Sequence, residues 1–212
     1  MAIKTLHKED IGFFAEVQGV LENKRIATRL GKTGSIAVNK EKKEKGAKTS
    51  KEKGEKIKAL LPLTAEPLAN PCNGCPLEPK AKRMKGAGDL ATAKLLVVVE
   101  KITEKDLVEN TYAKYDQFLP ILKEQGFKKE DVYFTALTRS FTSQENLEAV
   151  ERCSHYLRAE ILQPNIKCIL ILGLRPFQLL VDAKRNTIFK ARGQIFSILG
   201  KPALVTFEKV DS

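Results

Sequence analysis

The sequence predicts an α/β fold: a three-layer α/β/α sandwich with a four-stranded parallel sheet. Three observations carry that prediction. Short apolar runs recur at 94–100 (KLLVVVE), 131–137 (DVYFTAL), 168–173 (CILILG) and 202–207 (PALVTF). They are apolar throughout rather than alternating, as strands covered on both faces are. Helix-like stretches separate them, and strand–helix alternation implies parallel pairing with helices on both faces of the sheet.

Each element has its own signal. KLLVVVE is the first strand. Tyr115 to Gln125 follows as an amphipathic helix closed by Gly126, a residue suited to the left-handed end of a helix. DVYFTAL, rich in aromatic and β-branched residues, is the second strand. Thr142 or Ser143 can cap the next helix, which runs through Leu162 with Leu147, Val150, Leu157 and Ile161 on one face and Pro164 beyond its end. CILILG is the third strand, Gly173 a turn, and a helix continues to about Asp182. PALVTF is the fourth strand. Sites in such sheets lie at the carboxyl ends of the strands, here just after Val99, Leu137, Leu172 and Val205.

This α/β domain takes up residues 60–212. Before it, residues 39–59 form a lysine-rich flexible linker: 40–58 hold nine lysines against four glutamates and no apolar face, too little to offset the entropy of ordering. Residues 1–38 are a short N-terminal segment whose apolar pattern suits a short helix. Its GKTG at 31–34 resembles a phosphate loop, but that loop needs a glycine where Ile26 stands. No apolar run reaches the length of a membrane span, and the start lacks an apolar core before a cleavage site. A cytoplasmic location is the expectation, with no membrane contact.

The formal net charge is +11 and the pI about 9.4. Such a surplus favours polyanions, of which nucleic acid is the commonest. The four cysteines are Cys72, Cys75, Cys153 and Cys168. Without an export signal, metal ligation is a sharper reading than disulfides for Cys72, Cys75 and Cys153. Cys168, inside an apolar run, reads as a small buried hydrophobe.

The blocks CNGCPL, LLVVVE, DVYFTALTR, ERCSHYL, ILQPNIKCILILGLRPFQLL and ARG, in this order and spacing over about residues 70–207, resemble the iron–sulfur (family 4) uracil-DNA glycosylases. The resemblance implies the same fold and a [4Fe–4S] cluster on four cysteines. Cys72 and Cys75 match the first pair and Cys153 the helix cysteine, but Ser140 stands where the third cysteine belongs. Cys168 begins the third strand, placed at the far edge of the sheet from Ser140. The open assignments are three cysteines with an unidentified fourth ligand, a set including Cys168, zinc on the CxxC, or no metal. His155, near Cys153, is a further candidate ligand or a surface residue of its helix.

The resemblance also locates the family's chemistry. Its glycine-rich loop after the first strand falls on Val99-Glu100-Lys101-Ile102-Thr103, which keeps Glu100 and loses the glycines. Its base-reading asparagine falls on Ala136. Its His-Pro pair falls on Glu208-Lys209, and a glutamate there repels a departing uracil anion. Glu100 is the catalytic candidate if the protein is active; Glu104, Asp106 and Glu109 are acidic neighbours. Candidate DNA contacts are Arg139, Arg175, Lys190 and Arg192, the last matching the family's Arg-Gly block. Three functions stay open: a catalytically degenerate DNA-binding accessory to replication or repair, an active divergent glycosylase on uracil or another modified base, and a docking module for a polymerase or other DNA-processing partner.

Overall fold

The computed structural model describes residues 61, 63, 70–77 and 82–208. The N-terminal segment and the whole of the lysine-rich linker lie outside the described residues. Chain order is β1 (Leu95–Val99), α1 (Glu104–Glu109), α2 (Ala113–Glu124), β2 (Val132–Ala136), α3 (Leu147–Ile161), β3 (Cys168–Leu172), α4 (Leu174–Leu180), β4 (Ile195–Ile198) and β5 (Lys201–Thr206).

The strands form one sheet in the order β2-β1-β3-β5-β4. β1 pairs in parallel with β2 and β3, and β3 with β5. The four predicted strands are therefore the parallel part. β4 is a fifth, antiparallel to β5 at the edge. Its sequence IFSI keeps Ile195 57% exposed and buries only Ile198, so it lacks the continuous apolar run that marks the others. The turn joining it to β5 has positive φ at Leu199 (48°) and Gly200 (80°). Two-residue hairpin turns of that hand prefer Asn-Gly, and leucine in the first place hides the signal.

Because successive strand residues point to opposite faces, the parallel strands feed two cores. Leu95, Val97 and Val99 pack with Tyr115, Phe118 and Leu122 of α2. Leu96 and Val98 pack with Val150, Leu157 and Ile161 of α3 and Phe177 of α4. These are the three layers. Leu61 joins the second core, and its amide donates to the Leu179 carbonyl at 3.0 Å.

Two helix boundaries differ from expectation for local reasons. α3 begins at Leu147 because the Asn146 side chain caps it, accepting from the Ala149 amide at 3.0 Å. The Thr142 hydroxyl instead bonds the Gln144 carbonyl at 2.5 Å. α1, which is not among the elements expected from the sequence, is held by a capping box: Thr103 accepts from the Asp106 amide (3.1 Å) and Asp106 accepts from the Thr103 amide (2.7 Å). Cys168 also moves. β3 is central rather than at the far edge, and Cys168 is in register with Leu95 at the amino end of the strands.

Candidate functional site

Two regions gather the residues singled out in the sequence. The first is the mouth at the carboxyl ends of the strands. Glu100 follows β1, half-buried, and its carboxyl is raised above the usual glutamate value, first by burial and next by Glu208. Glu145 pushes in the same direction, while Lys101 and Arg175 oppose it. Three carboxylates and a few cations thus share one electrostatic neighbourhood.

The placement of each follows from the fold. Ala136 ends β2 in register with Val99 and is buried, so it stands level with the site and presents only a methyl group. Glu208 lies just past β5. A Cβ on Gly173 would come within 3.2 Å of the Glu208 Cβ, and Gly173 has φ +98° at the start of α4. Glycine there admits both the turn and the neighbour. Lys114 of α2 donates to the Glu208 carbonyl at 2.8 Å and lies 3.5 Å from its carboxylate. Arg175 is bound to Glu145 at 2.6 Å and to Gln178 at 3.3 Å, so its charge is largely answered within the protein.

The acidic neighbours of Glu100 divide. Asp106 is 4% exposed and its two oxygens serve the amides of Thr103 and Ala113, which makes it a cap. Glu104 and Glu109 are exposed, and Glu109 lies 3.7 Å from Lys105.

The second region is a thiol pocket between the CxxC turn and α3. The turn closes through the Cys75 amide to the Cys72 carbonyl at 3.2 Å, and Gly74 takes φ +70° to permit it. Arg152 of α3 donates to the Asn73 carbonyl at 2.7 Å and fixes the turn to the helix. Cys72 Sγ lies 3.0 Å from the Tyr156 hydroxyl. The Cys153 thiol is pushed up by burial; the Arg139 backbone opposes that, and Cys75 and Cys72 are near enough to add to it. Ser140 follows residue 139 directly in the chain and is 5% exposed. Cys168 is elsewhere: buried among the α2-side core, its thiol is pushed up to about 12 by burial alone.

Arg139 turns inward rather than out to DNA. Its guanidinium binds Glu160 at 2.5 Å and sits 4.1 Å over the Tyr156 ring. The cause is Glu160, whose side chain is 3% exposed and needs a cation beside it. Tyr133 also donates to Glu160, at 3.3 Å, and its own hydroxyl is pushed up to about 12 by burial and then by that carboxylate. Of the other candidate DNA contacts, Lys190 is exposed and the Arg192 guanidinium lies 5.2 Å from the Phe207 ring centroid. His155 is half-buried on α3.

Residues 88–208 match the family model of the uracil DNA glycosylase superfamily. The chain belongs to that superfamily. A type-4 uracil-DNA glycosylase of Thermotoga maritima is 29% identical over 143 residues, 64% of this chain and 74% of that protein. The matched span includes the mouth residues Glu100, Ala136 and Glu208.

The donor set does not fit the four-thiolate cluster that the resemblance implies. The fourth place holds a serine hydroxyl, and the Cys72 thiol is engaged by Tyr156. No three of the described histidine, cysteine, aspartate and glutamate side chains stand close enough to hold one metal ion. No helix among the described residues is long and apolar enough to cross a membrane.

Proposed function

We propose that this member of the superfamily binds DNA without cleaving the glycosidic bond, acting as an accessory to replication or repair. The observation that carries the reading is Glu208 beside Glu100, with Glu145 adding to the same field. Expelling a base leaves negative charge on it, and catalysis requires donors aimed at that charge. A carboxylate in that place raises the barrier instead. The methyl group of Ala136 offers nothing to a base edge, and extrusion of a base without readout or anion stabilisation gains no reaction.

DNA affinity is a separate matter. It comes from phosphate neutralisation, and the +11 charge, with nine lysines in 40–58, supplies it. Lys190 and Arg192 are the contacts this reading assigns to the described domain; Arg139 and Arg175 are bound to Glu160 and Glu145. A gel-shift titration against salt tests this. The expected result is binding that weakens steeply and linearly in log salt; no binding at low ionic strength overturns it.

One observation favours a second reading, an active divergent glycosylase. Glu100 is a half-buried carboxyl with a raised pKa at the mouth, the kind of group that serves as an acid or base. This reading predicts abasic sites in a uracil-containing oligonucleotide, abolished by Glu100→Gln. Their absence with wild-type protein leaves the first reading standing.

A further inference from the structure

We propose that Phe189, Phe207 and Arg192, with Lys190 beside them, form a stacking platform for an unpaired base of single-stranded DNA. The inference rests on the DNA-binding reading and names the surface and the form of DNA that it takes. Neither the mouth nor the thiol pocket uses these residues.

The ledge begins with a tight turn after α4. The Ala191 and Arg192 amides donate to the Ile188 carbonyl at 2.9 and 2.7 Å. Ile188 and Ala191 are 5% and 0% exposed, so the turn is anchored on both sides of Phe189. Phe189 itself is 73% exposed. It is held out by a packed backbone rather than by a loose loop. Its ring meets that of Phe207 edge-on, with centroids 5.1 Å apart and planes at 67°. Phe207 directly follows β5, so the pair stands at the carboxyl edge of the sheet.

A single exposed phenylalanine is ordinary. The company it keeps is what points to a ligand. The Arg192 guanidinium lies over the Phe207 ring, 5.2 Å from its centroid. Residues 183–207 hold five cations (Lys184, Arg185, Lys190, Arg192 and Lys201) and no acidic residue, although Lys201 lies at the other end of β5, donating to the Gln163 and Ile166 carbonyls. Arg185 is bound to Asp182 at 2.9 Å, and Glu208, next along the chain, faces Lys114. An open aromatic face within an excess of positive charge complements a ligand with a flat apolar part and a backbone of negative charge. Single-stranded nucleic acid is that ligand, because its bases are free to leave one another and stack on a protein ring. Duplex bases are already stacked and meet the ledge only through phosphates.

The test is fluorescence anisotropy with labelled single-stranded and duplex oligonucleotides over a salt series. Phe189→Ala is expected to weaken single-strand binding about 5- to 150-fold, to leave duplex binding within about twofold of wild type, and to leave the salt slope unchanged. Phe189→Tyr keeps the affinity. Lys190→Ala instead lowers the salt slope by about one. If wild-type protein ignores both DNAs at low salt, the DNA-binding reading itself fails. If it binds DNA but Phe189→Ala binds both forms like wild type, only the platform fails. A purified protein partner that needs Phe189 while single-stranded DNA does not also overturns the platform. Matching melting curves for the variants confirm that losses come from the surface.

Discussion

Replacing Arg139 with methionine isolates the most enclosed ion pair among the described residues. Glu160 has a side chain 3% exposed, accepts from Arg139 at 2.5 Å, and has only the Tyr133 hydroxyl, at 3.3 Å, as a further hydrogen-bonding partner on the same oxygen. Removing the guanidinium leaves a buried carboxylate with only the neutral hydroxyls of Tyr133 and Thr135 to stabilise it. Breaking a buried pair in this way costs about 3–5 kcal/mol, and for a chain of this size that lowers the melting temperature by about 6–20 °C. Adding Glu160→Gln to the same protein removes the orphaned charge while keeping an acceptor for Tyr133, so the double variant recovers part of the loss.

The pH dependence distinguishes this cause from lost packing of the arginine stem. Burial already raises the Glu160 carboxyl, and Arg139 is the largest influence pulling it down. Without Arg139 the pKa rises further. A carboxyl whose folded value exceeds its unfolded value binds protons more readily when folded, so stability is retained below the unfolded value and lost as pH rises through the folded one. The deficit of Arg139→Met is therefore smallest at acidic pH and grows toward neutrality, as followed by circular-dichroism melts of wild type, single and double variants. A deficit that is constant with pH, or a double variant no more stable than the single, refutes the argument.

Two further outcomes follow from the two regions. Glu208→Gln removes the largest charge acting on Glu100, so the Glu100 titration seen by carboxyl NMR moves down toward the ordinary value while burial keeps it above; no movement means that the two groups do not face each other. Ser140→Cys supplies the missing thiolate, so the variant takes up iron and sulfide anaerobically with the visible absorption of a cluster while wild type does not. Equal uptake by both proteins refutes the claim that the fourth donor is what is lacking.

The parallel sheet was legible because its strands are buried on both faces, and their sequences are apolar without interruption. β4 was not, because it has one wet face and a Leu-Gly turn. The capping box of α1 was present in the sequence as Thr103 and Asp106 at the required spacing, yet EKDLVE offers almost no apolar face to draw attention to it. The thiol pocket was legible for Cys72, Cys75 and Cys153, since CxxC spacing is local and Cys153 falls on a recognisable block. The role of Arg139 was not, because it depends on a partner 21 residues away. A signal existed: Glu160 falls three residues after Leu157 and beside Ile161, on the apolar stripe of α3, where a carboxylate needs a cation. Glu145 gave no such hint, because it lies in a polar loop and meets Arg175 only through the fold.

The proposed loss of cleavage and the proposed DNA binding are compatible because different residues would carry them. The mouth holds Glu145 and Glu208 in the field of Glu100, carboxylates that disfavour both a departing base anion and an entering phosphate. The stretch 183–207, by contrast, has cations alone. On the proposed reading, a DNA strand attracted to the second and repelled from the first would lie across the rim of the sheet with no base drawn into the mouth. Charge reversal at Glu208 alone, for example Glu208→Lys, removes that repulsion without touching the ledge. It is expected to tighten DNA binding and steepen the salt dependence while uncovering no cleavage, since Ala136 still cannot read a base. Appearance of abasic sites in that variant implies that Glu208, rather than the loss of several groups together, is what holds the chemistry off.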